Sequence, residues 1–276
     1  MEVSNTIPHG VEVRQFGLET QDVPENTATD QNDQRRLLVL LNGIGAGVGN
    51  WGQFPDALNR PCTAIDVSKA ASCTRWPKMA DYSQAFIDTL DSIGHDKVDL
   101  LGLSWGGALA QEVAIRHGNR IGSLALVATL PGRMSLPPKM RAIRALSSSD
   151  RSQATFQLIA GSVYGGDIRT RPDLLKDIGI NRIIDPEVYR RQKRAVIMWN
   201  SSVLRLTGIE IPTLVIAGAD DPIARPINAR IIAAAIKNSE LHIVPANEGG
   251  GHLLLHTRPD ESAAVINRFL DKNQTD

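Results

Sequence analysis

The amino-acid sequence predicts an α/β fold: a mostly parallel central sheet flanked by helices, interrupted by an inserted helical cap. Three observations lead there. From Leu37 to Leu130 short apolar runs alternate with segments of helical spacing, the order required by a parallel sheet covered on both faces. From 131 to about 206 that order breaks, and Pro131, Pro137 and Pro138 are followed by helix-like pieces with no clear buried strand. After Ile211 the strand–helix order resumes. The expected organisation is a core in two parts, residues 1–131 and 206–276, with the cap at 132–205 between them.

Taken in order, residues 9–19 ("HGVEVRQFGLE") alternate loosely and predict an edge hairpin arm, and the polar stretch from Thr20 to Asp33 predicts a surface loop. "LLVLLNG", "CTAIDV", "KVDLLGLS" and "SLALVATL" are short continuous apolar runs, as in strands buried on both faces. "DYSQAFIDTLDSIG" and "GGALAQEVAIRHGN" have helical spacing, with glycine at or near their ends. In the second part, "IPTLVIAGAD" and "ELHIVPA" each precede a helix, "RPINARIIAAAIKN" and "RPDESAAVINRFLDKN".

Composition narrows the function classes. The 276 residues suffice for one large domain with a substantial core. The 30 Lys and Arg balance 30 Asp and Glu, which gives no global charge for binding nucleic acid or an anionic membrane. An aromatic content of 4% also argues against a base-stacking surface. No stretch approaches the roughly 18 apolar residues of a membrane helix. "MEVSNTIPHGVEVRQF" lacks the basic and apolar regions of a signal peptide. The expectation is a cytoplasmic protein in which Cys62 and Cys73 are two separate thiols.

The chemistry starts at Gly102-Leu103-Ser104-Trp105-Gly106, a G-x-S-x-G sequence between a strand and a helix. So sharp a turn forces Ser104 into a strained backbone conformation and lifts its Oγ clear of the sheet, at a helix N-terminus that favours negative charge. A serine hydroxyl needs a base to take its proton, and that base needs an acid to orient it. His9, His95, His117 and His242 lie before the core, near helix ends or within a strand. His252 follows three glycines after the last strand and is favoured over His256, four residues on. No Glu follows His252 as in H-E-x-x-H, so no zinc site or other metal is expected, and no cofactor. From "VATLPGRM" onward no Asp or Glu occurs before Asp150, so the acid must come from "AGADDPIARP". Asp220 and Asp221 are both candidates there.

The glycine-rich loop in "LLVLLNGIGAGVGNW" could cradle phosphates or stabilise an oxyanion. Read as G-x-G-x-x-G from Gly43, it has Val48 where the third glycine belongs, and no Walker lysine is present. An acyl-transfer site needs two backbone donors, one after the nucleophile and one from the loop after this earlier strand. The N–H groups of Trp105 and Ile44 occupy those positions.

With these residues in hand, the sequence resembles the intracellular depolymerases of medium-chain-length polyhydroxyalkanoates, within the α/β-hydrolase superfamily. The resemblance runs from about Leu37 to Leu270 and rests on "NGIGA", "SWGGALAQ", "VYGGDIRTRPDL", "IPTLVIAGADDPI" with Asn228 beyond it, "NSELHIV" and "GHL". Tyr164-Gly165-Gly166 and Asn228 lie outside generic hydrolase motifs. The resemblance implies Asp221 as the acid, His252 as the base and a polymeric or small-molecule 3-hydroxyalkanoate ester as substrate. Three departures would reshape the substrate pocket or its loops: a glycine-free "SKAASC" after "IDV", a longer "NEGGG" loop before His252, and a late cap whose aromatics are Tyr189 and Trp199. A soluble ester or lactone would suit the same triad, and a non-catalytic ligand receptor on the same fold is a further alternative. Residues 132–205 hold 14 Lys and Arg against 6 Asp and Glu. Such a basic cap reads first as a solvated surface paired partly with the core, and second as a contact for an anionic storage-granule surface.

Overall fold

The apolar runs become one seven-stranded sheet in the computed structural model, which describes residues 7–17, 35–70, 75–132, 135–146, 153–177, 185–200 and 203–274. The strands are β1 (Glu12–Phe16), β2 (Leu38–Leu41), β3 (Cys62–Asp66), β4 (Val98–Leu103), β5 (Ile121–Val127), β6 (Thr213–Gly218) and β7 (Ser239–Val244). Their order is β1-β3-β2-β4-β5-β6-β7, parallel throughout except for β1. β2, β4 and β6 are buried along their whole length, which explains why their sequences do not alternate.

Of residues 9–19, those described, 9–17, contain the single strand β1 and not an arm of a hairpin. β1 pairs antiparallel with β3, from Glu12 opposite Asp66 to Phe16 opposite Cys62. β3 would otherwise present an unpaired edge, and β1 satisfies its N–H and C=O groups. The loop expected from Thr20 to Asp33 falls outside the described residues, as does Cys73. Cys62 is a free, buried thiol. Burial, with the nearby Asp56 charge, pushes its pKa up to about 12.

Helices cover both faces. α2 (Met79–Ser92), α3 (Trp105–His117) and α10 (Pro226–Ala235) bury Tyr82, Phe86, Leu109, Val113 and Ile232 against one face. α1 (Phe54–Ala57), α11 (Leu254–Thr257) and α12 (Pro259–Lys272) bury Phe54, Leu255, Ile266 and Phe269 against the other. α12 starts on Pro259, with Asp260 and Glu261 in its first turn and Lys272 in its last, charges placed to suit the helix dipole.

Between β5 and β6 the described residues form helices and no strand: α4 (Met140–Leu146), α5 (Gln153–Tyr164), α6 (Gly166–Thr170), α7 (Leu174–Asp177), α8 (Pro186–Ile197) and α9 (Val203–Leu206). Asp185 caps α8 by accepting from the Glu187 and Val188 N–H groups, and Pro186 opens it. The insertion is pinned to the core by buried polar groups. The Asn228 amide, fully buried on α10, donates to the Leu136 carbonyl at 3.0 Å and accepts the Leu136 N–H at 2.8 Å. Glu112 of α3 accepts from Trp199 Nε1 at 2.8 Å and Arg205 Nη1 at 2.9 Å. Against the upward push of burial, Arg205, Trp199 and Arg116 hold the Glu112 carboxyl below its ordinary range.

Asn228→Ala leaves the Leu136 N–H and C=O without their partner. We expect a loss of about 2–4 kcal/mol in urea unfolding, from one buried donor and one buried acceptor. A shift below about 0.5 kcal/mol, the scale of ordinary surface substitutions, would remove Asn228 from the anchors of the insertion.

Candidate active site

Ser104 stands between β4 and α3 with φ 55° and ψ −113°, a conformation that L-residues rarely adopt. The surroundings hold it there. Its N–H donates to the Val127 carbonyl at 2.9 Å, and its carbonyl accepts from Ala108 N–H at 3.2 Å and Thr129 Oγ1 at 2.7 Å. The turn closes because Gly106 has no side chain: a Cβ there would lie 2.1 Å from the Leu41 carbonyl oxygen.

The histidine and the acid arrive from the ends of β7 and β6. His252 Nε2 lies 3.1 Å from Ser104 Oγ, and His252 Nδ1 lies 2.7 Å from Asp221 Oδ2. Asp221 is fully buried, and its Oδ1 accepts the Ile223 and Ala224 N–H groups at 2.8 and 2.9 Å. These bonds leave Oδ2 facing the imidazole. The two candidate aspartates thus separate. Asp220 turns outward to Arg141 and Arg169 and accepts the Gly166 N–H at 3.1 Å. Burial pushes its carboxyl upward, but Gly166, Arg169 and Arg141 together hold it below the ordinary range.

The loop after β2 lies against the elbow, with Gly43 so placed that a Cβ would sit 3.7 Å from Ser104 Cβ. Asn42 frames it: Nδ2 donates to the Gly47 and Asn50 carbonyls, and Oδ1 accepts the Gly43 N–H at 2.7 Å. The Gly45 N–H is held by Gln192 Oε1 at 2.7 Å and the Ala46 N–H by the Gly43 carbonyl at 3.1 Å. Among the described residues, Ile44 carries the only amide of 43–46 without a partner. The Trp105 N–H opens α3, where a helix has no acceptor for its amides. Such a set can take a proton from Ser104 and meet a developing oxyanion with two amides.

Tyr164 and the two following glycines are wedged between the loops of Asp221 and His252. The Tyr164 carbonyl accepts the His252 N–H at 2.7 Å, and the Tyr164 ring stacks on the imidazole with centroids 6.3 Å apart. At Gly165 (φ 64°) a Cβ would lie 2.0 Å from the Asp220 carbonyl oxygen. The "NEGGG" loop is therefore matched to this wedge.

His256 is buried on α11, a one-turn helix ahead of α12, and stacks on Trp51 with 7° between ring planes. Its Nε2 donates to the Asn50 carbonyl at 3.0 Å, the same oxygen that Asn42 uses. Nδ1 has no partner among the described residues.

The chain matches the α/β-hydrolase family over residues 38–265 and belongs to that family. It is 34% identical over 248 residues to a poly(3-hydroxyalkanoate) depolymerase of Ectopseudomonas oleovorans, covering 86% of this chain and 85% of that one. It is 26% identical over 233 residues to 2-hydroxy-6-oxononadienedioate/2-hydroxy-6-oxononatrienedioate hydrolase of Klebsiella pneumoniae, covering 78% and 81%. Among solved structures, the fold resembles a meta-cleavage product hydrolase of Pseudomonas fluorescens IP01 (TM-score 0.73, 16% identity, 95% and 94% covered). It also resembles an enol-lactonase of Burkholderia xenovorans LB400 (TM-score 0.71, 21% identity, 95% and 96% covered). No helix among the described residues is long and apolar enough to cross a membrane.

Of the residues singled out in the sequence, the structure joins Ser104, His252 and Asp221, the aspartate implied by the resemblance, at hydrogen-bond distances, with Trp105 directly after the serine and Gly43, the neighbour of Ile44, beside it. Sequence reasoning misses Gln192, whose bond to the Gly45 N–H crosses the fold, and Asn42, whose side chain ties its own loop together through Gly43, Gly47 and Asn50.

Burial holds the His256 imidazole well below its ordinary pKa, the His252 ring adding to the effect and the Asn50 carbonyl opposing it. The unfolded chain therefore binds a proton at His256 before the folded chain does, and stability falls as pH drops below about 6.5. His256→Asn is expected to flatten this part of the dependence, read as urea midpoints compared between about pH 7.5 and pH 5.5. An unchanged slope would show that His256 does not titrate in this window.

Proposed function

We propose that the chain is a serine ester hydrolase acting on aliphatic 3-hydroxyalkanoate esters, as a polyhydroxyalkanoate depolymerase. The observation that carries the chemistry is the unbroken line from Asp221 Oδ2 through His252 to Ser104 Oγ, at 2.7 and 3.1 Å. The substrate class rests on similarity to the depolymerase across most of the chain. His252, oriented by Asp221, takes the Ser104 proton as Oγ attacks the ester carbonyl. The Ile44 and Trp105 N–H groups receive the oxyanion. His252 then protonates the leaving alcohol, and water, deprotonated in turn by His252, releases the acid and restores Ser104. Each step is a proton or acyl transfer, and none calls for a cofactor.

A small soluble ester or lactone is the second reading. What favours it is the position of Trp199, one of the late insertion's two aromatics, buried with its Nε1 on Glu112 and so withdrawn from lining a substrate channel. Contact between the basic insertion and an anionic granule coat belongs to the polymer reading. It competes with internal pairing, since Arg141, Arg169 and Arg205 already meet Asp220 and Glu112.

Ser104→Ala is expected to cost at least about four orders of magnitude in kcat with folding intact. Residual activity above a hundredth of wild type would overturn the nucleophile, and failure of Ser104 to react with a fluorophosphonate would favour a receptor. Release of 3-hydroxyalkanoic acids from amorphous medium-chain polyester granules, run beside p-nitrophenyl octanoate, separates the two substrates. Turnover of both supports the depolymerase, and turnover of the soluble ester alone removes the polymer. Granule adsorption should weaken as salt rises to about 0.5 M, where surface charges are screened. Salt-independent adsorption would eliminate the electrostatic contact.

A further inference from the structure

Gln192 is the uncharged member of a basic run on α8, flanked by Arg190, Arg191, Lys193 and Arg194, yet it is 2% exposed. Two bonds account for its burial. Its side-chain Oε1 accepts the Gly45 N–H at 2.7 Å, and its backbone carbonyl accepts Trp105 Nε1–H at 3.1 Å. One residue of the insertion thus touches both the loop that carries Ile44 and the residue that carries the second amide. The fit is close: the cavity left among Gln192, Asn42 and Trp105 has a volume of ≈ 10 Å³, about one water.

We infer that Gln192 is a positioning residue that completes the oxyanion hole from the inserted helices, an inference that rests on the hydrolase reading above. The argument concerns successive peptide units. The Ile44 N–H belongs to the unit joining Gly43 and Ile44. The unit before it is fixed by Asn42 Oδ1 on the Gly43 N–H, and the unit after it by Gln192 on the Gly45 N–H. Gly45 has φ 71° and no Cβ, so sterics alone do not fix the second flank. The Gly43 carbonyl also accepts the Ala46 N–H at 3.1 Å, closing a turn whose middle peptide is the one Gln192 holds; removing the Gln192 acceptor loosens that turn and with it the aim of the Ile44 N–H. Donor alignment matters mainly as negative charge develops, so the loss falls on kcat and not on KM.

The test compares Gln192→Met, of similar length without the amide acceptor, with Gln192→Glu, each rate normalised to sites titrated by a fluorophosphonate. Gln192→Met is expected to lose about ten- to a hundredfold in kcat with KM within about twofold, short of the full loss of an oxyanion donor. Gln192→Glu keeps an acceptor but adds charge beside the oxyanion, with Asp66 lining the same cavity and Arg191 adjacent in sequence. Its rate relative to wild type should rise as pH falls, because a protonated carboxyl has the shape and acceptor of the amide. Taking the ratio removes whatever pH dependence the two enzymes share. An unchanged kcat in Gln192→Met, a loss confined to KM, or a ratio flat with pH overturns the assignment. Ser104→Ala measured alongside separates the failures. If it stays active, Ser104 is not the nucleophile and the site reading beneath this inference fails; if it is inactive while the Gln192 variants behave as wild type, only the role of Gln192 is withdrawn.

Discussion

The site depends on one local constraint, the backbone of Ser104 at φ 55°. Such a conformation costs on the order of 1–3 kcal/mol and persists only where neighbours over-determine it. Here Val127, Thr129 and Ala108 supply three bonds to the serine backbone, and Gly106 lets the helix start touch the end of β2. The register of the sheet then decides what stands next to the nucleophile. Leu41 lies opposite Gly102, so the chain leaving β2 emerges beside the elbow and brings Gly43 next to the serine. A shift of that register would move the amides away while leaving every motif intact.

The inserted helices do more than cover this arrangement. Three loops from three different strands each make at least one hydrogen bond with the insertion. The Asp220 carboxylate accepts the Gly166 N–H, the Tyr164 carbonyl accepts the His252 N–H, and Gln192 accepts the Gly45 N–H. The loops of Asp221, His252 and Gly45 are thus referenced to the same insertion. The buried Glu112 holds that insertion to α3, the helix that begins at the nucleophile. Displacing the insertion would therefore disturb the line from Asp221 through His252 to Ser104.

Much of this was legible in the sequence, for reasons that can be named. Strands buried on both faces leave continuous apolar runs, and the elbow leaves glycines around Ser104, because both are requirements on consecutive residues. The chain order of Ser104, Asp221 and His252 follows from the order of the strands that carry them. Other features depend on contacts across the fold. "HGVEVRQFGLE" reads as a hairpin arm because alternation shows a half-exposed strand but not its partner, which is β3 some fifty positions on. Gln192 looks like one more polar residue on a charged helix, since nothing in "YRRQKRA" marks which side faces the Gly45 amide. His256 resembled a second candidate base, whereas its burial against Trp51 gives it a structural place under the oxyanion loop.

The adjacent aspartates show how one dipeptide divides two tasks. Asp221 is held inward by the Ile223 and Ala224 amides, which fix one oxygen and present the other to His252. Asp220, half-exposed on the other side of the chain, receives Arg141 and Arg169 from the insertion. Pairs as exposed as these contribute little, about 0–1 kcal/mol each. Glu112 differs, because a buried carboxylate stripped of its partners is expensive to keep charged. Part of the insertion's positive charge thus answers carboxylates of the core, one of them beside the acid itself. The sequence-level excess of Lys and Arg overstates what the insertion can offer an external surface. Any docking partner would have to be attracted by the charge left over, without competing for the arginines that hold the insertion on the site.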